Sequence, residues 1–282
     1  MIFKAPAKIN LALDVLDLRP DGYHDIDIVS LPLELHDSIE IEEYPERFGT
    51  YLTSDDNSLM CDESNLVYVA YRAMKKNFGL HSGFRIKIYK KIPMESGLGG
   101  GSADAAAVID GLDKMKKLNA ADQQKIDIAK AIGSDVPFCL YNRPCRVQGM
   151  GEKLTFFTCK KNYFVLVIKP EQGLSTKEVY KLCDSYEKSK PDIPNLIKGL
   201  MAGDDKLVAA SMKNGLQITA THMLGEIGSL IERLKAKGLN MVMMSGSGSA
   251  VYALSNDEEQ LKQLAREFDD DTHYVWVTKT AV

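Results

Sequence analysis

PMESGLGGGSADAAA, residues 93–107, sets four glycines and two serines between a basic alternating run and an alanine-rich one. Upstream, FRIKIYKKI (84–92) alternates apolar and basic side chains, the period of a half-buried strand, and Pro93 is expected to end it. Downstream, SADAAAVIDGLDKMKKL (102–118) carries strong helix formers, with Ala106, Ile109, Leu112 and Met115 at helical spacing. The order is strand, glycines, helix. N–H groups in a helix's first turn lack intrahelical partners, and together with the helix dipole they attract anions. Gly97, Gly99, Gly100 and Gly101 let such a backbone approach a ligand, while Ser96 and Ser102 offer hydroxyls to a phosphate or a metal ion. A surface turn that only lets a helix pack closely has the same composition, so this stretch alone leaves both readings open.

The stretch is not a Walker A loop, since no G-x-x-x-x-G-K-[ST] occurs in the chain. The run before it also lacks the continuous apolar strand of a dinucleotide-binding unit. A second glycine stretch, MMSGSGSAVYAL (243–254), places Gly246, Ser247 and Gly248 between two strand-like runs and reads by itself as a hairpin turn. PAKINLAL (6–13) puts Lys8 and Asn10 on one face of a strand. The lysine is either an edge residue with its ammonium in water or a cation aimed at a ligand. GSDVPFC (133–139) places Asp135 before Pro137, as a turn cap or as a fixed carboxylate suited to act as a base. DGYH (21–24) follows a turn with Tyr23 and His24, either packing residues or a stacking face and polar edge for a planar base.

The 282 residues, 45% hydrophobic and 26% charged, suit a globular protein of two modest domains. A net charge of −4 argues against a nucleic-acid backbone as partner. The five cysteines are spread out with no C-x-x-C pair, as expected of free thiols in a reducing cytoplasm. MIFKAPAKINLALDV lacks a signal-peptide pattern, and no apolar run has the length of a membrane span, so a soluble cytoplasmic protein is expected.

Strands are expected at KINLALDVLDL, IDIVSLPLEL and DSIEIEEY, then a helix over SNLVYVAYRAMKKNFGL capped by Ser64 and stopped at Gly79. DQQKIDIAKAIG reads as a helix, and 134–157 as short strands and turns. KKNYFVLVIKP is a continuous apolar strand, which places a domain boundary near residue 157. The expected domains are therefore 1–157 and 158–282. Helices, a strand pair turned by the second glycine stretch, a last helix and a last strand complete the second.

Lys8 in PAKINL, RPDGYH, PMESGLGGGSADAAA, GSDVPF and MMSGSGSAVYAL occur here in the order in which they occur in the GHMP kinases, and the chain resembles that family from residue 5 to about 255. The resemblance is strongest to the branch acting on a cytidine-diphosphate-linked methylerythritol in the non-mevalonate isoprenoid route. It implies an α+β protein, with an N-terminal ribosomal-protein-S5-like domain, a C-terminal ferredoxin-like domain and the active site between them. ATP is the implied phosphoryl donor, with Mg²⁺. Asp135 would take the proton of the acceptor hydroxyl, and Lys8 would orient it and stabilise charge. Asn10, Tyr23 and His24 would hold the substrate. Met94, Glu95, Ser96, Gly97, Leu98, Gly99, Gly100, Gly101, Ser102, Ala103 and Asp104 would wrap the phosphates, with Asn65 and Lys91 as further nucleotide contacts. Gly246, Ser247 and Gly248 would support the site, and Ser102 is the candidate metal contact. KNGLQITA (213–220) and GSGSA (246–250) depart from the family's usual stretches. Competing readings are a GHMP kinase for homoserine or a mevalonate derivative, and a silent nucleotide-binding homologue.

Overall fold

The computed structural model describes residues 1–270 and 272–282. In chain order the elements are β1 (Ile2–Leu18), β2 (His24–Pro45), β3 (Tyr51–Ser54), α1 (Leu66–Phe78), β4 (Ser82–Tyr89), α2 (Gly100–Lys116), α3 (Asp122–Ile132) and α4 (Val136–Tyr141). β5 (Cys145–Gly149), β6 (Lys153–Phe156), β7 (Phe164–Pro170), α5 (Thr176–Leu182), α6 (Ile193–Ala202), α7 (Asp205–Ser211) and β8 (Lys213–Asn214) follow. The chain closes with α8 (Gln217–Met223), α9 (Gly225–Ala236), β9 (Met241–Met244), β10 (Val251–Ser255), α10 (Glu258–Ala265) and β11 (His273–Lys279). By contacts the chain forms two compact units interleaved in sequence. The first is Met1–Ala7, Leu35–Ile92 and Gly99–Asn142, and the second is Lys8–Glu34, Pro93–Leu98 and Arg143–Val282. This line differs in kind from a single cut near 157, because β1 and β2 each run through both units.

In the first unit the end of β2 lies antiparallel to β4, and β3 runs parallel to β4. Register follows from the alternation. Ile39 and Ile41 face Ile88 and Ile86, all buried, while Glu40 and Glu42 face Lys87 and Arg85 on the other side. A slip of one residue would turn the isoleucines to water. α1 begins at Asn65, not Ser64. Asn65 Oδ1 accepts from Val67 N at 3.0 Å, whereas Ser64 Oγ donates to Asp62. Gly79 ends α1 in the left-handed region, donating its N–H to Lys75 O.

Two expectations are corrected. β4 stops at Tyr89, short of Pro93, because side-chain carboxylates take over the next backbone donors. Lys90 N donates to Asp55 Oδ1 at 2.9 Å, and Lys91 N and Ile92 N both donate to Asp37 Oδ1. Residues 136–141 form a helix and not a strand, since Pro137 sits in the first turn, where its missing N–H costs nothing.

In the second unit the start of β2 pairs with β5, β5 with β6, and β1 runs parallel to β8. A four-stranded sheet has the order β11-β7-β10-β9. β7 is its buried centre, with Val165, Leu166, Val167 and Ile168 all 0% exposed, which explains its unbroken apolar run. β9 and β10 pair antiparallel across the second glycine stretch, as expected. All five cysteines are free thiols. Among the described residues no helix is long and apolar enough to cross a membrane. Asn65→Ala should lower stability by about 1 kcal/mol in urea unfolding, the worth of a lost N-cap; an unchanged midpoint would show that the cap contributes nothing.

Candidate active site

β1 brings Lys8 and Asn10 to one buried face, at 3% and 1% exposure, which removes the edge-strand reading of the lysine. Lys8 Nζ donates to Asn10 Oδ1 at 2.7 Å, and Asn10 Nδ2 donates to Ser30 Oγ at 2.9 Å. The backbone is fixed as well. Tyr252 Oη donates to Asn10 O, and Lys8 N donates to Leu98 O at 2.9 Å, tying β1 to the glycine stretch.

The two glycine stretches, unremarkable singly, meet backbone to backbone. A Cβ on Gly97 would lie 2.0 Å from Ser245 O, and one on Gly246 would lie 2.9 Å from Gly97 O. Both glycines have positive φ. Ser245 Oγ donates to Gly97 O at 3.0 Å, Ser249 N to Glu95 O and Ala250 N to Ser96 O, each at 3.1 Å. Ser247 Oγ is paired with Thr176 Oγ1. The atypical KNGLQ segment supports this junction. Asn214 Nδ2 donates to Met244 O and Gly246 O, and Gln217 Oε1 accepts from Met244 N. The Ser96 hydroxyl braces the loop. It is buried, donates to Pro93 O at 2.7 Å and accepts from Leu98 N.

α2 starts from Gly99, which is left-handed and has no side chain to cap the helix, and its first turn holds no acidic residue. The N–H groups of the Gly100–Ser102 turn therefore have no internal competitor for an anion. Gly101 is exposed, Ser102 half-buried and Ala103 buried. Asp104 is 2% exposed and turns inward, where Lys90 Nζ bridges Asp37 Oδ2 at 2.5 Å and Asp104 Oδ2 at 3.0 Å. Burial pushes the Asp104 carboxyl up to about 7, with Lys90 opposing the rise and Asp37 adding to it. Burial pulls the Lys90 ammonium down, yet Asp104 and Asp37 outweigh it and hold it above its ordinary value. Met94 and Glu95 are exposed, Leu98 buried.

The turn before β2 is held by Arg19 N donating to Tyr23 O and by Tyr23 N donating to Asp21 Oδ1. It leaves Tyr23 64% exposed, an aromatic face turned to solvent, while His24 is buried. His24 Nε2 meets the Asp184 carboxylate at 3.1 Å. Lys188 first, and His24 after it, hold Asp184 below its usual value. An ionised carboxylate only accepts, so Nε2 carries the proton and Nδ1 is the other polar atom of the ring. His24, Cys183 and Asp184 offer donor atoms within 4.8 Å of one another. Lys188 already neutralises Asp184, and burial keeps the Cys183 thiol protonated, so this cluster is hydrogen-bonded and not poised for a metal.

Asp135 is half-buried at the start of α4 and makes no capping hydrogen bond, against the cap reading. Asn65 is spent on structure, capping α1 and donating to Met60 O. Lys91 is exposed, with its backbone N–H on Asp37. Sequence reading missed Asp37, Lys90, Asp184, Asn214 and Gln217, all of which act through residues distant in the chain. KNGLQ, noticed as a departure, was the one available signal among them.

The model for the GHMP kinases N terminal domain matches residues 65–143, and that for GHMP kinases C terminal matches 196–273. The chain is 36% identical over 261 residues to 4-diphosphocytidyl-2-C-methyl-D-erythritol kinase of Bacillus pumilus, covering 93% of this chain and 90% of that protein. It is 38% identical over 268 residues to the protein of the same name from Caldicellulosiruptor bescii, covering 94% and 93%. A crystal structure of 4-(cytidine 5'-diphospho)-2C-methyl-D-erythritol kinase superposes with a TM-score of 0.83 at 28% identity, over 100% of both chains.

Gly97→Ala should cost about 3 kcal/mol or more in urea unfolding, since the Cβ meets a carbonyl oxygen at a backbone angle that disfavours L side chains. A loss under about 1 kcal/mol would mean that the junction yields. Asp104 adds a pH signature. With its folded value raised, the folded state holds a proton that the unfolded chain releases, so this contribution to stability falls as pH rises from about 4 to about 7. Asp104→Asn should remove that fall, and an unchanged pH–stability difference between the two proteins would contradict the assignment.

Proposed function

This chain belongs to the GHMP kinases, and we infer that it transfers the γ-phosphoryl group of ATP to the 2-hydroxyl of 4-diphosphocytidyl-2-C-methyl-D-erythritol, a step of the non-mevalonate isoprenoid route. The observation that carries the reading is the pair of glycine stretches locked backbone to backbone and running into the uncapped start of α2. Such a cradle binds a polyphosphate through N–H groups, without needing a cationic side chain from the loop.

Phosphoryl transfer asks for positioning and for stabilisation of charge on the transferring group. Asp135 is the base: it accepts the proton of the acceptor hydroxyl, whose oxygen forms the new bond to phosphorus as the bond to ADP breaks. Lys8, desolvated and fixed by Asn10, is the cation that stabilises charge as it develops. Tyr23 stacks on the cytosine, and His24, held in one tautomer by Asp184, meets its polar edge.

Mg²⁺, when bound, would supply neutralisation of charge on the transferring phosphates. Asp104 is turned onto Lys90 and Ser96 onto Pro93 O, which leaves the Ser102 hydroxyl in the first turn of α2 as the side chain to hold it.

In a coupled ADP-release assay, the cytidine-diphosphate-linked substrate should be turned over in preference to homoserine and mevalonate; equal rates with all three would overturn the substrate assignment. Asp135→Asn should lower kcat by about 10²-fold or more with nucleotide affinity retained. A variant with near-native kcat would show that another group takes the proton.

A further inference from the structure

One hydroxyl interrupts the apolar run IVSLPL (28–33) of β2, and its residue, Ser30, is 3% exposed. A buried hydroxyl is costly unless it is hydrogen-bonded, so Ser30 needs a partner. It has one in Asn10, whose Nδ2 donates to Ser30 Oγ at 2.9 Å across the β1–β2 pair. The other end of the same amide, Oδ1, accepts from Lys8 Nζ at 2.7 Å. An ammonium only donates, so the amide must turn its oxygen to Lys8 and its NH₂ group away. That NH₂ group, on a residue 1% exposed, then depends on the protein for an acceptor. Ser30 Oγ is that acceptor. On the far side of Ser30, β5 sets Cys145 opposite it, and the Cys145 thiol donates to Arg146 O at 3.2 Å. The backbone of Asn10 is held separately, by Tyr252 Oη donating to Asn10 O at 2.8 Å. Backbone and side chain thus have independent supports, and the one at Ser30 acts on the side chain.

We propose that Ser30 is a positioning residue for phosphoryl transfer: by holding the amide of Asn10, it fixes the Lys8 ammonium at the place where charge develops. The proposal rests on the kinase reading, in which Lys8 is the cation of the reaction. Electrostatic stabilisation of a transition state needs a charge already in place, because a charge that must reorient during the reaction loses much of its effect. Lysine carries its charge on a flexible four-carbon stem, and the Asn10 oxygen gives that stem a fixed point. Without the Ser30 hydroxyl, the NH₂ group of Asn10 loses its acceptor in a site closed to water. The amide then rotates toward another acceptor and draws Oδ1 away from Lys8. The ammonium keeps its charge but loses its place, and a misplaced group costs rate more than nucleotide affinity.

The test uses the full chain in the coupled ADP-release assay with the cytidine-diphosphate-linked substrate. Ser30→Ala should lower kcat about tenfold or more while KM for ATP changes less than about twofold. In an Asn10→Ala background, itself slower, Ser30→Ala should lower kcat no further, because Ser30 acts through an amide already removed. A merely structural role would instead give equal losses in the two backgrounds. The side-chain NH₂ signals of Asn10, identified in NMR spectra by their absence in Asn10→Ala, should exchange faster with solvent in Ser30→Ala than in the wild type. If the alanine variant does not fold, Ser30→Cys, close in size but a weak acceptor, takes its place under the same expectations. Near-native kcat in the folded variant, equal losses in the two backgrounds or unchanged exchange at Asn10 overturns the proposal alone. Absence of turnover by the wild type overturns the kinase reading and the proposal with it.

Discussion

Everything placed around the first glycine stretch depends on one close approach: the backbone of Gly97 against the carbonyl of Ser245, with no space for a side chain between them. Three backbone or hydroxyl hydrogen bonds hold the approach, from Ser245, Ser249 and Ala250 to the carbonyls of residues 97, 95 and 96. Those bonds consume carbonyl oxygens of the loop, so the face left to a ligand is rich in N–H donors. Two stretches nearly 150 residues apart thereby become one rigid element, and β1 is tied to it through Lys8 N and Leu98 O.

Charge in this molecule is arranged by burial more than by number. A chain of net charge −4 has no surplus of cations for a triphosphate, yet Lys8 and Lys90 are both withdrawn from water and given fixed oxygen partners. A desolvated, oriented ammonium acts more strongly on developing charge than an exposed one. Lys8 donates to an amide oxygen, and Lys90 is held between two carboxyl groups. The second arrangement suits holding a helix start in place.

Local pattern made most elements legible. Alternation in 84–89, helical spacing after residue 102 and the unbroken apolar run at 164–170 correspond to β4, α2 and β7. Where the reading erred, a specific contact had replaced a local rule: Asp37 and Asp55 end β4 before the proline, and Pro137 opens a helix where turns were expected. The site was legible as residues but not as partners. Lys8 and Asn10 follow from strand period, but nothing in 245–249 says that it clasps 95–97, and nothing near His24 points to Asp184, 160 positions away. Such pairings are set by topology, which a single sequence does not display.

Residues 94–104 are proposed as the phosphate cradle of this kinase. Backbone amide shifts of the full chain, followed by NMR as AMP-PNP is added, test it most directly. The largest changes should fall on the amides from Gly97 to Ser102, with smaller ones relayed to Ser245–Ala250 through the shared hydrogen bonds. Binding that left those amides unmoved while shifting another region would contradict it.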